Sequence, residues 1–90
     1  MRVQSEADLG EHECADRWQE LRSLGFDGLR EASIAILHVA HYGLKHRHAA
    51  FAAPYLEQHL RDLEHAVDAA ASVKIWYDKT SELLQRLSKL

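Results

Sequence analysis

Apolar positions recur at helical spacing along the whole chain. From Tyr55 to Leu90 there is neither proline nor glycine, and Leu56, Leu60, Leu63, Val67, Ala70, Tyr77 and Leu84 follow at intervals of three, four or seven. A period near 3.5 is that of a helix contributing a stripe to a left-handed bundle. At 1.5 Å per residue this helix would reach roughly 50 Å. Upstream, Gly25-Phe26-Asp27-Gly28 reads as a turn into a second helix capped by Asp27, with Leu29, Ser33, Ile36, Leu37, Ala40, Leu44 and Phe51 on one face. A first helix opens near Ser5 and Asp8, carries Ala7, Cys14, Trp18 and Leu21 on its apolar side, and stops at Leu24-Gly25. Pro54 suits a boundary, because a helix ends readily before a proline and begins readily with one. The pattern predicts three helices near 5–24, 27–52 and 54–90, with no strand-like alternation. The expectation is a single all-α domain whose second and third helices form an antiparallel hairpin.

On this reading the third helix outruns the second by about three turns. Those turns are apolar: Val73, Trp76, Leu83, Leu87 and Leu90 form a second stripe beside the line of Tyr77 and Leu84. Two adjacent apolar stripes require two neighbours. The first helix supplies one, and a second copy of the chain or a different protein the other. Unless the first helix covers the whole surface of a monomeric three-helix bundle, a dimeric bundle is expected, with Val73, Trp76, Tyr77, Leu83, Leu84 and Leu87 at the interface.

Composition narrows the function classes. The chain has 90 residues and a single cysteine, so no internal disulfide can hold it together and packing must do so. No apolar run approaches the roughly 20 residues of a membrane span. The N-terminal MRVQSEADLGEHE is unlike a secretory leader, so the expected location is the cytoplasm. Eleven basic against fourteen acidic residues leave a formal charge of −3, without global attraction to nucleic acid or anionic lipid. Local basic residues exist at Lys45-His46-Arg47-His48, and Lys74, Lys79, Arg86 and Lys89 dot the last helix beside Asp78 and Glu82. There is no glycine-rich phosphate loop, no Gly-x-Ser-x-Gly elbow and no cysteine pair for zinc. Cys14 stands among Glu11, His12, Glu13 and Asp16, and the acids raise a thiol's pKa rather than activate it.

Seven histidines are the compositional oddity. His38 and His41 are three apart on the second helix, and His59, Asp62 and His65 form H-x-x-D-x-x-H on the third. Facing helices that offer histidines and carboxylates at this spacing are how bundles build metal sites. His41-Tyr42-Gly43 with the stretch from Leu56 to Ala66 resembles a helical hairpin of the ferritin-like carboxylate proteins. That resemblance implies a divalent metal centre shared between hairpins, with Asp62 and His65 as paired ligands and His38 and His41 opposite. Aspartate stands where that family carries glutamate, and His38 stands in place of a carboxylate on the second helix. On a helical wheel His38 falls about 150° from the Leu37–Leu44 face, which suits a solvated histidine. Histidine also titrates near pH 6.5, and adding seven protons to −3 gives +4, so a histidine-lined assembly would loosen in mild acid.

The residues therefore point first to a small non-catalytic helical module that binds itself or a larger protein, without a cofactor. A metal-binding bundle using His38, His41, Asp62 and His65 is the second reading. An RNA-binding hairpin dimer is the third.

Overall fold

The computed structural model describes residues 2–66, 68 and 70–90, with side chains from His12 onward except at 67 and 69. Among these residues the chain is helical with no strand. It runs through α1 (Arg2–Arg22), a 3-10 turn (Gly25–Gly28), α2 (Leu29–His46), α3 (Ala49–Glu64) and α4 (Ala71–Ser88). Ala7 of the first apolar side and Val67 of the long stripe fall outside the described side chains. No helix of the described residues is long and apolar enough to cross a membrane.

Four helices replace the expected three, for two physical reasons. The second helix stops at His46 rather than near residue 52, because Arg47 turns left-handed (φ 56°) and the His48 N–H bonds back to the Gly43 carbonyl at 2.8 Å. Such a reversal satisfies a carbonyl that a helix end would leave bare. The next helix starts at once: Phe51 and Ala52 both donate to the His48 carbonyl at 3.0 Å. Pro54 consequently sits inside α3 instead of opening it. The missing N–H deprives only the Ala50 carbonyl, and both residues lie on the exposed side where water can serve.

The expected helix over 54–90 is two helices. α3 ends at Glu64, Ala70 is extended (φ −158°, ψ 143°), and α4 begins at Ala71. Local propensity does not demand the break, since alanine is the best helix former. Burial does. Folded back, α4 places Val73, Leu83 and Leu87 in the core at 3%, 7% and 1% exposure, whereas a straight helix would hold them in water. The overhang expected from the sequence does not exist.

The contacts define two ends. Ser33 meets His59, and Arg22 meets Asp62, so the 23–28 turn lies beside the end of α3, where the 65–70 link starts α4. At the other end Gly43 of α2 lies against Ala52 of α3 and Leu87 of α4. Trp18, Ile36, Val39, Leu56, Leu63 and Leu87 fill the space between, all fully buried. Gly25 takes a left-handed φ of 68° at the end of α1, a conformation that suits a residue without a Cβ.

Gly43 allows α2 to lie close against α3 and α4. A Cβ there would stand 2.7 Å from Ala52 Cβ and 3.1 Å from Leu87 Cδ2. Leu87 can rotate, but Ala52 moves only with its backbone. Gly43→Ala would gain about 1 kcal/mol of helix propensity and lose about 1–3 kcal/mol to overpacking. A net loss of about 1 kcal/mol is expected, read as a lower melting temperature by circular dichroism. Adding Ala52→Gly should restore the space without restoring the propensity lost at residue 52.

Candidate functional site

Three helices meet at a buried polar cluster. Trp18 on α1, Ser33 on α2 and His59 on α3 are all fully buried. The Trp18 indole N–H donates to His59 Nδ1 at 2.9 Å, and His59 Nε2 lies 2.9 Å from Ser33 Oγ. An indole nitrogen can only donate, so Nδ1 must be bare and the imidazole proton must sit on Nε2, donating to Ser33. Trp18 also packs edge-on against Tyr55 (centroids 5.6 Å, 86°) and His59 (6.1 Å, 74°). Burial drives the His59 pKa down from 6.5 to about 4; the Asp62 carboxylate pulls it up and the Arg22 charge lowers it further. His59 therefore stays out of the mild-acid titration that composition suggests for all seven histidines.

This arrangement does not make Ser33 a nucleophile. A general base must accept the hydroxyl proton, yet the nitrogen facing Ser33 already carries one, and neither residue reaches solvent. The cluster instead joins three helices through one imidazole.

Above it lies a clamp. Arg22 Nε donates to Asp62 Oδ2 at 2.9 Å and Arg22 Nη2 to Oδ1 at 3.2 Å, while Gln58 Nε2 donates to Oδ1 at 3.1 Å. Partial burial alone would raise the Asp62 pKa, but the bonds from Arg22 and Gln58 outweigh it and hold the carboxyl below 3.8. The Arg22 guanidinium also lies over the Trp18 ring at 5.0 Å. A cleft of about 550 Å³ opens beside this clamp, with Arg22, Asp62 and His65 on its polar side and Phe26, Leu29 and Ala66 on its apolar side. Phe26 in its wall is 55% exposed, and Leu24, two positions earlier in the chain, is 60% exposed. Ile75 in the first turns of α4, at the same end of the bundle, is 57% exposed.

A second cleft, of about 630 Å³, separates α1 from α2 and is lined by Glu13, Asp16, Glu20 and Glu31 with Cys14 and His38. Burial, then the Glu13 charge, pushes the half-buried Cys14 thiol above its ordinary value, so it is held as the thiol.

The residues singled out by sequence are distributed unevenly. Val73, Leu83 and Leu87 are buried by this chain itself, whereas Trp76, Tyr77 and Leu84 are half-buried on α4. His38 and His41 are exposed on α2. Asp62 and His65 share the cleft beside Phe26, but a metal at Asp62 would have to displace Arg22 and Gln58 from both carboxylate oxygens. No group of three His, Cys, Asp or Glu among the described residues is placed to hold a metal ion. The ligand set implied by the ferritin-like resemblance does not gather. In the sequence His59 stands out only as the first member of H-x-x-D-x-x-H, although its place three after Leu56 and four before Leu63 puts it on the buried face. Leu24 and Phe26 read in the sequence as turn residues, with no signal that both would be exposed.

Comparison with protein-family models, curated proteins and solved structures finds no match to this chain.

Proposed function

We propose that the chain is a small non-catalytic interaction module, built of antiparallel helical hairpins, that pairs with a second copy through the end bearing Leu24, Phe26 and Ile75. The observation that carries this reading is the exposure of Leu24 and Phe26, two large apolar side chains on either side of Gly25, with Phe26 lining a cleft. Single exposed apolar residues are ordinary, but adjacent ones at a concave surface mark binding sites. Trp76 and Tyr77, which follow Ile75 on α4, are half-buried.

Area supports a second copy as occupant. The chain exposes 5951 Å², against about 5,400 Å² for a compact monomer of 10.3 kDa. The surplus, about 550 Å², is about two thirds of the roughly 800 Å² that each partner contributes to a standard interface. The molecule is also thin, with extents of 45 × 29 × 16 Å.

Native mass spectrometry of the untagged protein tests both the subunit count and bound ions. The expected result is a metal-free dimer. Phe26→Asp should weaken dimerisation about 30-fold or more while helicity stays unchanged, because the residue is exposed within one chain. A monomer at every concentration would overturn self-association. Metal in simple ratio to chains, lost on changing Asp62 and His65 together, would replace it with the histidine–carboxylate reading.

A further inference from the structure

From the opposite end of the bundle we infer a separate site, one that takes single-stranded nucleic acid. Two segments without an acidic residue, 41–56 and 83–90, are brought together there by the packing of Gly43 against Ala52 and Leu87. Between them they carry Lys45, Arg47, Arg86 and Lys89, all exposed. The chain's −3 charge is thus unevenly spread: carboxylates line the α1–α2 cleft, while cations gather where α2 turns into α3 and α4 ends. α1 reaches this end at His12, which packs edge-on against Phe51 at 5.1 Å, and the acids that flank His12 in the chain, Glu11 and Glu13, are counter-charges against the four cations.

Rings accompany the charges. Tyr42 and His46 stack nearly parallel, with centroids 6.2 Å apart and 9° between planes, and His48 follows at 5.9 Å and 35°. Lys45 and Arg47 alternate with these histidines along the chain. A further recess of about 440 Å³ is lined by His12, Arg47, His48, Ala50 and Phe51. Flat rings interleaved with exposed cations are what a single strand requires: bases stack on the rings and phosphates meet the cations.

The backbone supplies an independent observation. Arg47 is left-handed at φ 56°, a helix-end position where glycine fits without strain. Strain held by a non-glycine residue marks places where the side chain is needed for something other than folding. Here that side chain is a guanidinium beside the ring ladder. It suits phosphate, to which guanidinium binds in two-pronged fashion.

The test is fluorescence anisotropy with an end-labelled 12-nucleotide uridine-rich RNA and the matching DNA, titrated with the full chain between 20 and 200 mM salt. Binding is expected at the low end, with log affinity falling against log salt at a slope of about −2 to −3, as for three or four phosphate contacts. Arg47→Gly should keep or raise the melting temperature yet weaken binding roughly tenfold and make the salt slope shallower by about 0.7. His46→Ala should weaken binding roughly tenfold with the salt slope unchanged, since it removes stacking rather than charge. No binding at 20 mM salt overturns the proposal, as does an Arg47→Gly protein that binds like the parent. Capture by phosphatidylserine vesicles without oligonucleotide binding overturns it in favour of a lipid surface.

Discussion

Replacing Trp18 by alanine is expected to cost about 4–6 kcal/mol, about half of the stability of a typical chain of this length. Truncating a buried tryptophan typically removes about 3–5 kcal/mol through lost transfer energy and the cavity left behind. Here the loss is larger, because His59 Nδ1 would keep its burial and lose its donor, adding about 1–3 kcal/mol. Tyr55 would lose its edge-on partner and Arg22 the ring beneath its guanidinium. A domain of this length has roughly 5–13 kcal/mol in total, so the loss is about half of a mid-range value and shifts the urea midpoint strongly. Urea titration followed by circular dichroism checks the prediction. Trp18→Phe separates the contributions: it keeps most of the apolar volume and removes only the indole donor, so a loss of about 2 kcal/mol is expected. Equal losses in the two variants would show that volume counts for nothing and the hydrogen bond for everything.

Acid is expected to remove about 3 kcal/mol through His59 alone. The imidazole ionises near 6.5 when unfolded and about 4 in the folded chain. Between those values the unfolded state binds a proton that the native state refuses, so stability rises with pH. The contribution is complete above pH 6.5 and declines by about 1.4 kcal/mol per unit as the pH falls towards 4. Below that the native state must take the proton too, which forces two donors to face each other at Nδ1 and Trp18 Nε1. Asp62 acts in the same direction but in a lower window. Its carboxyl is held below 3.8, so the stability it adds is present above that value and disappears as the pH falls through its folded pKa. Urea midpoints measured from pH 7.5 to 4 check the slope. His59→Gln can still accept from one neighbour and donate to another without titrating, and its stability should be nearly flat over the upper part of the range.

The six remaining histidines bear on these expectations only by their positions. Composition alone gave each the same role, but burial separates His59 from the rest, and its role is to cross-link helices. Legibility in the sequence followed the same division. The helical state of nearly every segment could be read from spacings such as Leu29–Ile36–Leu44 and Leu56–Leu60–Leu63, because a helical face is a local property. The buried face of α3 could be read too, and with it the place of His59, once a histidine on an apolar stripe is taken as core. The positions of the helix ends could not. Arg47 offers no local warning of a left-handed turn, and the alanines before α4 favour continuation.

What the sequence determined by itself is the all-helical class, the apolar faces, and the lack of a familiar catalytic motif. These depend on residues three and four apart, whose relation a helix imposes wherever it forms. Only the tertiary structure decided that the chain reverses between Glu64 and Ala71, that Val73, Leu83 and Leu87 face inward, and that His59 lies between Trp18 and Ser33. Each of these joins residues far apart in the chain, and burial of apolar surface outweighs the small preferences of local propensity. The same packing sets exposed Leu24, Phe26 and Ile75 at one end of the bundle, and Lys45, Arg47, Arg86 and Lys89 with exposed Leu90 at the other.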